Sequence, residues 1–203
     1  SADLKKSAGK IAWGKFSNNG QTCIAPDYVL VQEEVRDEFV KEMTLAVKRA
    51  YGDSAQAIKQ NPDYCRIVNI RHTQRIRSLV DGALEHNGKI VLGGDIDVED
   101  RFVAPTLVVG KQGDEDFLHC KLMQEEIFGP VLPIVPYRSL DEAIARINAM
   151  SKPLALYVYS KKQSNIEQVL TQTSSGGACV NHSVIHFMHN NLPFGGVNNS
   201  GIG

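Results

Sequence analysis

Tyr28-Val29-Leu30-Val31 is a nearly continuous apolar run, followed at once by Glu33 to Tyr51, where Val35, Phe39, Met43, Ala46, Val47 and Ala50 recur at helical spacing. A run apolar on successive residues is the pattern of a strand buried on both faces. Gly52 breaks the helix that follows it. The same rhythm extends in both directions. Upstream, Ala2 to Phe16 reads as a helix through Leu4, Ala8, Ile11, Ala12 and Phe16, ended by the turn-forming Ser17-Asn18-Asn19-Gly20. Downstream, a helix over Arg71 to Glu85 turns at Asn87-Gly88 into a strand over Lys89 to Leu92. Phe102 to Val109 and Val131 to Val135 read as strands too, and Pro105 and Pro133 predict edge or bulged positions for them. Ser139 is a natural N-cap for a helix over Leu140 to Met150, with Glu142 closing a capping box. A strand over Leu154 to Tyr159, a helix over Ser164 to Thr173 and a strand over Ala178 to Val180 complete the series. Strands alternating with helices predict an α/β fold, a three-layer domain with a mostly parallel sheet flanked by helices. No repeat, low-complexity stretch or linker divides residues 1–203, so one domain is expected.

Composition narrows the function classes. Hydrophobic residues make up 42% and charged residues 22% of 203 residues, which excludes a disordered tail, a fibre and a disulfide miniprotein. Twenty-two basic residues against 23 acidic ones give a net charge of −1, so no basic field points to nucleic acid or to an anionic membrane. No window approaches the roughly 18 uncharged apolar residues of a membrane span. Cys23, Cys65, Cys120 and Cys179 form no C-x-x-C pair and read as reduced thiols. With no signal or transit character at Ser1-Ala2-Asp3-Leu4, a cytoplasmic location is expected. Both ends read as cut from a longer protein.

Asn18 to Pro26 is the stretch richest in chemistry. It places Cys23 in a Gly- and Asn-containing loop between a helix and a buried strand. Catalytic groups of open α/β sheets gather in such loops, and a thiolate there is a strong nucleophile toward carbonyl carbon. The commoner role of a free cysteine is a small buried residue, and this reading stands beside the first. Glu125-Glu126-Ile127-Phe128-Gly129-Pro130 offers carboxylates able to accept ribose hydroxyls and a ring whose face suits a nicotinamide, although exposed glutamates beside a turn are common. His72 and Arg75 stand three apart on one helix face, where they reach a common ligand or simply face solvent. His182, His186 and His189 have helical ligand spacing, but Val184-Ile185 and Phe187 favour extended chain, so no metal is expected. The pairs Gly93-Gly94, Gly176-Gly177 and Gly195-Gly196 allow close backbone approach without forming a dinucleotide fingerprint.

Gly20-Gln21-Thr22-Cys23, Glu125 to Pro130 and Pro193-Phe194-Gly195-Gly196, in this order and at these separations, together resemble the aldehyde dehydrogenase superfamily. Ile11 to Phe16, Ala25-Pro26-Asp27-Tyr28, Arg101 to Thr106 and Lys152 to Ala155 resemble its class 3 branch, which handles fatty and aromatic aldehydes. The resemblance covers essentially the whole chain. It implies the catalytic-domain type of that fold and NAD(P)-dependent oxidation of an aldehyde to a carboxylic acid. By the same resemblance Cys23 is the nucleophile, forming a thiohemiacetal and then a thioester. Glu126 matches the acid that holds the nicotinamide ribose, Phe128 the ring beside the nicotinamide, and His72 and Arg75 polar contacts to the NAD or NADP cofactor. Phe194 matches a wall of the aldehyde tunnel, and Asn181 a support for the cysteine loop or a plain turn residue. A homodimer is implied for the full-length protein.

The chain lacks the family's Glu-Leu-Gly-Gly, whose glutamate is the base for thioester hydrolysis, and the upstream oxyanion Asn and cofactor-binding domain. An isolated piece with little activity is therefore expected. Asn198 stands where the family has glycine, which puts the local turn in question. Two further readings remain: a cousin that passes the acyl group to phosphate or coenzyme A, and a non-catalytic scaffold with a buried Cys23.

Overall fold

Asp3 starts the first helix, α1 (Leu4–Phe16), by accepting the Lys6 N–H at 3.1 Å. The computed structural model describes all residues from Ser1 to Gly203. Strand β1 (Val29–Gln32) leads through a 3₁₀ turn into α2 (Arg36–Tyr51), which Gly52 ends at φ 128°. Ser54 caps the short α3 (Ala55–Gln60), and Asn69 caps α4 (Ile70–Glu85) through the His72 N–H at 2.9 Å. There follow β2 (Lys89–Leu92), β3 (Ile96–Asp97), β4 (Phe102–Val103) and β5 (Thr106–Val109). Two short helices, α5 (Glu115–His119) and α6 (Lys121–Gln124), precede β6 (Val131–Tyr137). The chain finishes through α7 (Leu140–Ala149), β7 (Ala155–Val158), α8 (Gln163–Gln172) and β8 (Gly177–Val180). At α7 the Ser139 hydroxyl accepts the Glu142 N–H as expected, but the Glu142 carboxylate takes the Arg138 N–H, so the box closes one residue early.

The main sheet has the order β1-β6-β5-β2, parallel except where β2 meets β5. Strands β7 and β8 form a separate parallel pair, and β3 and β4 an antiparallel one. Three layers result. Successive residues of the central strands point to opposite faces. Val108, Val131 and Val135 pack with Ile76, Leu79 and Leu122 of α4 and α6. Leu107, Leu132 and Ile134 pack with Ile11, Phe16, Phe39 and Met43 of α1 and α2.

The prolines correct two sequence expectations. Val131–Tyr137 is a central strand, not an edge, although it contains Pro133 and Pro136. Successive N–H groups of a doubly paired strand point alternately to its two neighbours, so prolines three apart take one donor from each side. Neither ladder loses enough to break, and both faces remain buried. Phe102 to Val109 is not one strand. Ala104 N–H still bonds to Asp95 O, whereas Thr106 N–H bonds to Pro130 O, so Pro105 is the point where the chain leaves one sheet and enters the centre of another.

Strands β1 and β7 each pair on one side only, and both line a cleft of about 820 Å³. The cysteine loop and the Glu126 loop open into the same cleft.

Candidate active site

The cysteine loop is shaped by three successive residues in the left-handed region, Asn18 (φ 50°), Asn19 (φ 57°) and Gly20 (φ 70°). Asparagine and glycine are the residues that tolerate this conformation. Side-chain bonds hold the loop from below: Asn19 Nδ2 donates to Cys65 O at 3.0 Å, Gln21 Nε2 donates to Arg66 O at 3.1 Å, and Gln21 Oε1 accepts the Val68 N–H at 2.9 Å. Beyond this brace the chain turns, with Ala25 N–H on Thr22 O, and leaves Cys23 exposed while Ile24 is buried. A scaffold that merely kept the fold was expected to bury Cys23; the side chain is open to the cleft.

Gly20 brings the second motif alongside. A Cβ at Gly20 would stand 2.3 Å from Gly129 O, so the two loops pack backbone against backbone. Glu126 and Phe128, carried by the Gly129 loop, line the cleft together with Cys23. Phe128 sits at φ 46°, an uncommon conformation for an aromatic residue, and the residue is 39% exposed.

The other expected site residues lie around this centre. Arg75 does not line the cleft; its guanidinium donates to Glu126 O at 3.1 Å and to Ile127 O, bracing the loop from α4. His72 is exposed in the first turn of α4 and outside the cleft lining. Phe194 is also outside that lining, half exposed, with its ring 6.2 Å from His186, which in turn meets Tyr157 edge-on at 5.8 Å. Asn181 closes its carboxamide on Ser160, donating to its carbonyl at 3.0 Å and accepting its N–H at 2.9 Å. It joins the ends of β7 and β8 and makes no hydrogen bond to the cysteine loop. Asn198 adopts the left-handed conformation itself (φ 53°), so the turn forms without glycine.

Three residues that sequence reasoning passed over belong to this region. Tyr157 donates its hydroxyl to Ile24 O at 2.7 Å and so ties β7 to the residue after the cysteine. Lys15, near the end of α1, is buried, with its Nζ 3.8 Å from Asp27 Oδ1. Asp27 Oδ1 also accepts the Ile127 N–H at 3.2 Å. A signal for Lys15 was present: it falls four after Ile11 and three after Ala12, on the apolar stripe of α1.

The charges in this cluster perturb one another. Burial pulls the Lys15 ammonium down to about 8, against the attraction of Asp27 and Glu126. Burial raises Asp27, with Lys15 opposing, and burial together with the Asp27 charge raises Glu126, with Arg75 and Lys15 opposing. Between pH 8 and the ordinary lysine value of 10.5 the unfolded chain holds the Lys15 proton more than the folded one does. Stability from this group therefore rises with pH across that window. Urea unfolding at about pH 7 and about pH 10 should show a gain relative to Lys15→Met on the order of 3 kcal/mol at most; equal pH dependence in both proteins would contradict it.

Thiol labelling tests the geometry directly. Cys23 and Cys65 are exposed, Cys179 is partly covered and Cys120 is buried. Iodoacetamide near neutral pH should modify Cys23 and Cys65 first and leave Cys120 until the chain unfolds, as read by peptide mass mapping. Protection of Cys23 would refute the open loop.

The aldehyde dehydrogenase family profile matches residues 1–203. The chain belongs to the aldehyde dehydrogenase family. It is 46% identical over 201 residues to aldehyde dehydrogenase family 3 member A2 of Mus musculus, covering 99% of this chain and 39% of that protein. Similar matches are the dimeric NADP-preferring aldehyde dehydrogenase of Rattus norvegicus (46% over 201 residues; 99% of this chain, 42% of the relative) and the 4,4'-diaponeurosporen-aldehyde dehydrogenase of Staphylococcus aureus (44% over 202 residues; 100% and 42%). Among solved structures, the substrate-bound state of Staphylococcus aureus AldH superposes with a TM-score of 0.91 at 42% identity, covering 100% of this chain and 42% of that one. The chain thus spans about two-fifths of the length of the relatives it matches. The family's α/β architecture, with its mostly parallel sheet between helices, is the one this chain adopts.

Proposed function

We propose that residues 1–203 form the cysteine-bearing catalytic domain of an aldehyde dehydrogenase that oxidises long-chain or aromatic aldehydes to carboxylic acids with NAD or NADP. What supports the reading is that Cys23, Glu126 and Phe128, which arrive from two distant stretches of sequence, line one cleft. The exposed Cys23 sulfur, as thiolate, adds to the aldehyde carbon to give a thiohemiacetal, and after oxidation the acyl group stays on sulfur as a thioester until water releases the acid. The Cys23 N–H is an oxyanion donor for the tetrahedral species. A bound nicotinamide supplies the hydride acceptor. The residues present fit its ribose end, for Glu126 offers hydroxyl acceptors and the exposed Phe128 ring a flat face in the same cleft. Arg75 acts on this site through the Glu126 and Ile127 carbonyls.

The general base, the oxyanion Asn and most of the cofactor site belong, on this reading, to the further length that the relatives possess. The 203 residues alone turn over little aldehyde, and the full-length protein is a homodimer. Four free thiols support a reducing, cytoplasmic compartment. The test is to follow reduced nicotinamide spectroscopically while the full-length protein meets aliphatic aldehydes of increasing chain length and aromatic ones. Acid formation without added acceptor supports the proposal; acyl-coenzyme A or acyl phosphate formed, with nicotinamide reduced, only when that acceptor is present would assign the cousin chemistry instead.

A further inference from the structure

The loop that carries Glu126 and Phe128 is held at three points. Arg75 takes the carbonyls of Glu126 and Ile127, the Gly129 backbone rests on Gly20, and Asp27 takes the Ile127 N–H. Ile127 is fully buried in the core, so its N–H needs a partner inside the protein. Asp27 in turn faces Lys15 at 3.8 Å, on the neighbouring helix, with Arg75 a second cation acting on its carboxylate. The Asp27 side chain is 40% exposed and lines the cleft together with Glu126 and Phe128.

Burying the Lys15 ammonium carries a desolvation cost that an apolar residue of similar size would not, and Lys15 interrupts a largely apolar stripe. What the pair does provide is a fixed carboxylate beside Glu126. Asp27 stays put because its charge is balanced from below, and the main chain between Glu126 and Phe128 follows Asp27.

We propose that Lys15 and Asp27 are positioning residues: the buried ammonium fixes the Asp27 carboxylate, which through the Ile127 N–H sets the backbone that presents Glu126 and Phe128 to the nicotinamide ribose. The proposal rests on the reading of Glu126 and Phe128 given above, and it assigns neither Lys15 nor Asp27 a contact with substrate.

The test is a split between kinetic constants in the full-length enzyme. Asp27→Ala should raise the cofactor KM about tenfold or more, while kcat at saturating cofactor and the aldehyde KM stay within about twofold. Asp27→Asn, which keeps an oxygen for the Ile127 N–H, should recover part of that loss. Where a single variant fails to fold, the double variant Lys15→Met/Asp27→Asn removes both charges together, and its cofactor KM should match that of Asp27→Asn. A cofactor KM unchanged in Asp27→Ala or in the double variant, or a parallel fall in kcat and in affinity for aldehyde, overturns the positioning role. Glu126→Gln separates the two levels: if it raises the cofactor KM and Asp27→Ala does not, only this inference fails. If neither variant moves it, the reading of Glu126 fails too.

Discussion

Cys23→Ala in the full-length protein should fold normally and lose at least about three orders of magnitude in kcat for aldehyde oxidation. The two halves of this expectation have separate grounds. The Cys23 side chain is exposed and neither packs in a core cluster nor makes a hydrogen bond, so its removal should change stability by no more than about 0.5 kcal/mol. No other cysteine can take its place. Cys120 is buried and desolvation raises its thiol, Cys179 is raised for the same reason, and Cys65 lies outside the cleft lining. An oxygen nucleophile is no substitute either, since a hydroxyl without an adjacent base is poorly reactive. Steady-state assays beside a thermal melt would check both halves. Retained activity in a folded protein would remove the assignment of the nucleophile.

Gly20→Ala should be a strongly damaging small substitution at the site, because it meets two obstacles at once. The residue sits at φ 70°, where a side chain is strained, and the new methyl would lie 2.3 Å from Gly129 O and 2.6 Å from its carbonyl carbon. Neither obstruction is a flexible side-chain end. Strain and overpacking each cost about 1–3 kcal/mol, so a loss on the order of 3 kcal/mol is expected. Relief requires the cysteine loop and the Glu126 loop to separate, which would loosen cofactor and nucleophile together. A denaturation curve and the rate of Cys23 alkylation would report the two effects, and a stable variant with unchanged labelling would show that the loops do not touch. Gly9→Ala is the control, since nothing lies within 4 Å of a Cβ placed there.

The long elements were legible because periodicity needs length. Helices α1, α2, α4, α7 and α8 begin and end within a few residues of their expected bounds, as each shows at least two turns of apolar spacing. The short helices α5 and α6, five and four residues long, show no such pattern, and Asp114 starts α5 by capping alone. Pro133 misled for a clear reason: a local rule about donors gave way to a strand buried on both faces. In the site, Cys23, Glu126 and Phe128 could be singled out as candidates because their motifs are contiguous, and the three line one cleft. Asp27 and Tyr157 could not, and of Lys15 only its place on the apolar stripe could, for their contacts reach across 100, 133 and 12 positions of the chain. Arg75 shows the limit most clearly. Its place on one face with His72 was readable, yet its hydrogen bonds go to backbone carbonyls of the Glu126 loop, which no spacing rule anticipates.

Strands β1 and β7 each end their sheets with an unpaired border. Rows of free amides and carbonyls are templates onto which foreign extended chains can zip. Both borders line the cleft that holds Cys23, so an extended segment pairing with either one would occupy the same space as the site.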